Sequence, residues 1–253
     1  MGGGPGPHLH VEGTTVVHRL PAHAKLVGLL VLVLTVVALP AAPPWPFAVA
    51  SLVVLSVVAA TRVPARSVLT RAAVELPFVV FAVLLPFVAS GPRVEVGPFR
   101  LSQAGLTGAW LLLVKGTLGV LAAIAFSTTT SPRDLVRGLR ALRVPGPLVQ
   151  ILSFMVRYLG VVGEEMGRMR VARESRGFTA RSVRAWPVLA ASTGTLFLRS
   201  YERGERVHLA MVARGYTGAM PDTDPLRATG PQWGVALLPA LVVAVAGLAG
   251  RWA

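Results

Sequence analysis

The sequence predicts an all-α integral membrane protein with about five transmembrane helices and a large arginine-rich helical region before the last of them. Three observations carry that prediction. Hydrophobic residues make up 53% of the 253-residue chain and charged residues only 14%, against about 25% charged in soluble domains. Five segments are apolar over much of the roughly 20 residues that a bilayer crossing needs. The charge is lopsided, 25 Lys+Arg against 11 Asp+Glu for a net +14. Beside apolar runs this long, the excess reads as the cytoplasmic arginine bias of membrane proteins, so the expected partner is the lipid bilayer and no nucleic acid. There is no cysteine, hence no disulfide framework and no thiolate chemistry.

The first apolar segment runs from about Leu26 to Ala41 and the second from about Phe47 to Ala60. Pro43, Pro44 and Pro46 separate them, which predicts a tight hairpin or an unusual tilt. The third covers Leu76 to Ser90, with Pro77 and Pro86 near its ends, and the fourth Leu106 to Phe126. The fifth, Trp233 to Ala249, carries Trp233 and Trp252 where interfacial anchors belong. The small residues around Ala38-Leu39-Pro40-Ala41-Ala42 have the flavour of a signal-peptide cleavage site. About 25 residues precede that run and four further apolar segments follow it, so cleavage is not expected.

Arginine and lysine set the orientation. Arg19 and Lys25 precede the first span, and Arg62, Arg66 and Arg71 lie between the second and third. Sixteen arginines and no lysine fall between Ser127 and Pro231. The intervening connections are poorer, with only Arg93 and Arg100 between the third and fourth spans. The pattern predicts a cytoplasmic N-terminus and an outside C-terminus. The expected organisation is a cytoplasmic segment 1–25, a four-helix membrane region 26–126, a cytoplasmic helical domain 127–231 and a final span 232–253.

In that helical domain, Pro132 suits the first turn of a helix, and Arg133 to Arg143 reads as a short basic amphipathic helix with Leu135, Val136, Leu139 and Leu142 on one face. Val144-Pro145-Gly146-Pro147 breaks it. A longer helix is predicted from about Leu148 to Arg176, with Glu164 and Glu165 at helical spacing from Arg168 and Arg170. Another runs from Pro187 to Arg214, its middle lined by Arg199, Glu202, Arg203, Glu205 and Arg206. The two end alike, in Ser175-Arg176-Gly177-Phe178 and Ala213-Arg214-Gly215-Tyr216. A glycine there stops a helix in the left-handed conformation and leaves the preceding arginine at the tip. At about 1.5 Å per residue each helix is roughly 45 Å long. Carrying this much charge, the two are expected to project into, or lie along, the cytoplasmic face.

On these features the chain resembles the transmembrane T components of energy-coupling factor (ECF) transporters, the EcfT/CbiQ family, and in particular its cobalt-uptake branch. His18-Arg19-Leu20-Pro21-Ala22-His23-Ala24-Lys25-Leu26 is similar to the family's His-Arg-Leu-Asp-Pro-Arg-x-Lys-Leu stretch. It departs from it in lacking the acid and in having His23 where the family commonly has Arg. Thr129-Thr130-Ser131-Pro132, Asp134-Leu135, Leu139 and Pro145 follow the family pattern. So do the two tips, 38 residues apart, where the family repeats Ala-Arg-Gly; Ser175 replaces the first Ala. The resemblance implies an EcfT-like fold and a coupling role. Two ABC-type ATPases would bind below the T subunit. A substrate-binding membrane subunit, an S component or a CbiM-type protein, would sit beside it. Ser175, Arg176 and Gly177 would engage one ATPase, and Ala213, Arg214 and Gly215 the other. The implied cargo is cobalt or nickel, with a vitamin as the alternative.

The chemistry of arginine suits that role: the guanidinium keeps its charge and offers five donors in a rigid fork. Phe178 and Tyr216 are of the kind that joins arginine at interface hot spots. The plainer explanation, arginine in a last turn complementing the helix dipole, accounts for one tip better than for a repeated pair. Lys115 falls near the centre of the fourth span, where a charge costs at least ~2.5 kcal/mol. It marks a possible intramembrane polar site, structural or transport-related. His8 and His10 make only a weak metal site on the Gly/Pro-rich start, so no metal ligand and no cofactor are assigned. Met166, Met169 and Met211 offer adaptable packing for the long helices.

No P-loop, zinc-binding spacing or nucleophile elbow occurs, so no catalytic residue is assigned and ATP hydrolysis is expected of partner subunits. Two other classes of function compete. A lipid-phosphate enzyme would use the arginines as clamps but lacks an identifiable base. A membrane-anchored basic scaffold explains the charge but not two matched helix endings.

Overall fold

A computed structural model describes residues 15–96, 99–179, 185–218 and 228–252. The helices in chain order are α1 (Val16–Arg19), α2 (Ala22–Ala38), α3 (Trp45–Ala60), α4 (Ala65–Ala72), α5 (Leu76–Val88), α6 (Gln103–Thr129), α7 (Pro132–Ala141), α8 (Gly146–Glu174), α9 (Trp186–Val212) and α10 (Gly230–Trp252). A 3-10 turn, Ala73–Glu75, joins α4 to α5, and two strands, β1 (Arg93–Val96) and β2 (Phe99–Ser102), precede α6. The described residues fall into two compact units, one of residues 15–141 with 228–252 and the other of residues 142–218. The all-α membrane class holds.

Proline sets several boundaries. Pro40 bars Leu39 from the helical region, and Leu39 is extended, with φ −62° and ψ 132°. Helix α2 therefore stops at Ala38, short of the expected Ala41, and begins earlier than expected, at Ala22. Pro46 lies in the first turn of α3, where its missing N–H is no loss. The helix that carries the third apolar segment starts well before Leu76, because α4, the 3-10 turn and α5 run together as Ala65–Val88. The turn before α6 is an antiparallel hairpin that the apolar pattern did not signal, pairing Arg93 with Ser102 and Val94 with Leu101. Ser102 then caps α6, its Oγ accepting from the Gly105 N–H at 3.3 Å.

Among the described residues, four helices are long and apolar enough to cross a membrane: Ala65–Val88, Gln103–Thr129, Gly146–Glu174 and Gly230–Trp252. Helices α2 and α3 are apolar but shorter, at 17 and 16 residues. That α8 joins this group is a finding beyond the five expected segments. Between Gly146 and Gly163 its one charged residue is Arg157, and the charge begins at Glu164.

In the first unit α2, α3, α6 and α10 share one core. Phe47, Ala50 and Val54 form the inward stripe of α3 at helical spacing and meet Leu32, Val36, Leu118, Ala122, Ala240 and Val243. Large apolar side chains also point outward: Leu52 is 70% exposed, and Phe78 and Phe81 on α5 are each 58% exposed. In water such a surface would be a liability; in a bilayer it is the face offered to acyl chains. Because lipid tails are as apolar as leucine, helix association here relies on close packing of small residues. Gly28 shows this: a Cβ at that position would lie 2.5 Å from the Ala236 carbonyl oxygen of α10.

The second unit is a pair of long helices. Glu165 of α8 meets Arg199 of α9, and Gln150 near the start of α8 meets Tyr216 just past the end of α9. Moving up one helix moves down the other, so the pair is antiparallel. Phe154, Tyr158 and Val162 of α8 line one side of a cleft of about 250 Å³, with Leu196, Ser200 and Gly204 of α9 on the other.

Candidate functional site

Both arginine tips are Schellman endings. At the end of α8, the Phe178 N–H donates to the Arg173 carbonyl at 3.1 Å and the Gly177 N–H to that of Glu174 at 3.0 Å. At the end of α9, Tyr216 donates to Met211 at 3.0 Å and Gly215 to Val212 at 2.9 Å. This double bond pattern needs a residue in the left-handed region at the turn. Gly177 has φ +76° and Gly215 φ +83°. Glycine adopts such angles without the Cβ penalty, so the repeated Arg-Gly writes the same turn twice. The small residues Ser175 and Ala213 precede it, both exposed.

Arg176 and Arg214 are exposed, and neither is paired with a carboxylate among the described residues. Their neighbours are not equivalent. Phe178 is half-buried, while the Tyr216 hydroxyl donates to Gln150 Oε1 at 2.8 Å and its ring meets His208 edge-on at 6.5 Å. Tyr216 therefore anchors the second tip to the first turns of α8, a pairing the local sequence gave no sign of. The same contact fixes the spacing of the tips. From Gln150 to Arg176 the helix rises about 40 Å at 1.5 Å per residue, so the two guanidinium groups stand at opposite ends of the pair.

Between the tips, Glu165 is the hub. It accepts from Arg168 at 2.7 Å on its own helix and from Arg199 across the cleft. Those two hydrogen bonds, Arg168 first, hold its carboxyl below the usual carboxylate range. Arg170 pairs separately with Glu174 at 2.7 Å, which raises its already high pKa. Met166 is 52% exposed, and Met169 and Met211 are half-buried.

Lys115 sits among the elements of the first unit. Its ammonium donates to the carbonyls of Val37 at 2.7 Å and Leu39 at 2.9 Å and lies 5.8 Å from the centre of the Phe47 ring. These are carbonyls that α2 leaves unsatisfied where Pro40 ends it. A cation there completes the helix end. On the opposite side of α6, Thr117 donates to the buried carboxylate of Glu75 at 2.7 Å. Glu75 lies just ahead of the Leu76 at which the third span was expected to start, so it escaped notice as an acid inside an apolar helix.

Two of the stretches that carry the family resemblance, 18–26 and 129–135, also meet. Lys25 donates to the Thr129 carbonyl at 2.8 Å and to that of His18 at 3.2 Å. Ser131 and Asp134 cap the start of α7, with Oγ to Oδ2 at 2.6 Å. His23 is buried and meets the Trp233 ring edge-on at 5.6 Å. His8 and His10 lie outside the described residues.

Comparison with known proteins places this arrangement. The profile of a family described as Cobalt transport protein, CbiQ, matches residues 13–225. The energy-coupling factor transporter transmembrane protein EcfT of Bacillus subtilis is 27% identical over 223 residues, 83% of each chain. The cobalt transport protein CbiQ of Rhodobacter capsulatus is 30% identical over 210 residues, 80% of this chain and 81% of that one. The nickel permease LarQ of Lactiplantibacillus plantarum is 32% identical over 152 residues, 57% of this chain and 54% of that one. With a profile match across most of its length and relatives of this kind, the chain belongs to the CbiQ cobalt transport protein family, which includes the EcfT transmembrane proteins of energy-coupling factor transporters, and it is a multi-pass membrane protein.

Proposed function

We propose that this chain is the energy-coupling membrane subunit of an ECF-type ABC transporter, passing ATP-driven motion of two ATPase subunits to a substrate-binding membrane subunit. It is non-catalytic, and hydrolysis belongs to the ATPases. The observation that carries the reading is the pair of matched arginine tips, exposed and about 40 Å apart at opposite ends of one antiparallel helix pair. Two like arginine tips that far apart suit two copies of one kind of partner. The 142–218 unit is the coupling domain at the cytoplasmic face, with the N-terminus inside and the C-terminus outside; α8 is apolar enough to cross a membrane, but the exposed Arg214 tip beside its first turns favours a helix lying along the surface. The cargo is a divalent cobalt or nickel ion, in keeping with relatives named for cobalt transport and nickel permease.

The test is co-purification with the ATPases, alongside metal uptake in the same cells, for wild type, Arg176→Glu, Arg214→Glu and the double variant. Each single reversal is expected to weaken ATPase retention and uptake, and the double to abolish both, with membrane insertion unchanged. Full assembly and uptake by the double variant would sink the coupling assignment and favour a basic scaffold.

A further inference from the structure

An apolar cavity of about 310 Å³ lies within the first unit, between α1, α2, α3, α6 and α10, apart from the arginine tips. Its walls include Leu20, Leu29, Val57, Phe126 and Pro239, with Lys25 among them. The lining comes from the earlier parts of α2 and α10 and the later parts of α3 and α6, so the cavity lies toward one end of the bundle. Its volume is in the range of small-molecule pockets. Left empty, apolar walls of this extent would forgo dispersion contacts along the whole lining, and an apolar space of this kind does not hold ordered water. The medium around a bundle with outward Leu52 and Leu55 is hydrocarbon.

Cations gather at the same end. Lys25 spends two of its three N–H donors on the His18 and Thr129 carbonyls, which leaves one. Arg19 directly precedes the lining residue Leu20, and Arg62 follows the lining residue Ala60 by two positions. Both arginines are exposed, and neither is paired with a carboxylate among the described residues. An apolar slot with Lys25 in its wall, and with Arg19 and Arg62 exposed next to its lining segments, complements an amphiphile with a negative head; a zwitterionic head would bring a cation of its own. We propose that the cavity binds one acyl chain of an anionic bilayer phospholipid, with its phosphate held at the rim by Arg19 and Arg62 and with Lys25 just inside.

The experiment is native mass spectrometry of the full chain, extracted from its host membrane in mild detergent, with bound phospholipid counted per chain and compared by headgroup with the membrane. The wild type is expected to retain about one phospholipid, enriched several-fold in anionic headgroups. Val57→Trp, which fills the slot, is expected to cut retention about tenfold. The exposed pair Arg19→Gln with Arg62→Asn leaves the core untouched, Asn tolerating the positive φ of 55° at position 62. That pair is expected to keep a lipid but lose the anionic enrichment. The proposal is overturned if the wild type retains no phospholipid, or retains headgroups in the host ratio, or holds a free fatty acid or detergent instead. It is equally overturned if Val57→Trp retains as much lipid as wild type, or if the rim pair keeps the anionic enrichment.

Discussion

The bundle and the helix pair are held by different means. In the bundle, Leu32, Val36, Phe47, Ala50, Val54, Leu118, Ala122, Ala240 and Val243 close a buried apolar core, with Lys115 and Glu75 adding polar ties on two sides of α6. In the pair, α8 has one buried side chain, Val149, and α9 one, Leu196. Its ties are a charge network at Glu165 and a hydrogen bond at Tyr216. A close-packed core tolerates little displacement, whereas few buried contacts and exposed ion pairs open at low cost. The unit that carries the arginine tips is thus the one that opens at lower cost, which suits the coupling role proposed for it.

That contrast can be broken on either side. The largest effect is expected in the bundle. Gly28→Val would drive a Cβ against the Ala236 carbonyl oxygen, which is backbone and cannot swing aside. Overpacking of this kind costs about 3 kcal/mol, seen as a lowered thermal transition of the purified protein; an unchanged transition would show that α2 and α10 are free to separate. Next is Lys115→Met, which leaves the Val37 and Leu39 carbonyls without their donor in an apolar setting, at about 2 kcal/mol. If it leaves stability intact but slows uptake, the lysine serves transport rather than the end of α2.

In the helix pair the effects are smaller and local. Tyr216→Phe removes the hydroxyl that holds the Gln150 amide, about 1 kcal/mol. It is expected to speed amide exchange at the end of α9 while leaving that of the bundle unchanged. The smallest is a pH effect. Because Glu165 is depressed in the folded pair, its contribution is complete above the unfolded carboxylate pKa and is lost as pH falls through the lower folded value. Amide exchange in α8 and α9 is therefore expected to accelerate below about pH 4, a change that Glu165→Gln should abolish. A bundle that loosens over the same pH range would remove the distinction between the two units.

Local chemistry determined much of this protein. Apolar runs, proline stops and the repeated Arg-Gly endings are properties of a few adjacent residues, and they specify the membrane class, the two long helices and the form of both tips. The hairpin before α6 went unread because its strands are four residues each, an alternation too short to stand out between two long apolar runs. Tertiary structure decided what depends on pairs far apart in the chain: Lys25 with Thr129, Lys115 with the end of α2, Glu75 with Thr117 and Tyr216 with Gln150. Helical periodicity says which face a side chain occupies but not which helix arrives opposite it. That is why the tips were legible from sequence, and their placement at opposite ends of an antiparallel pair was not.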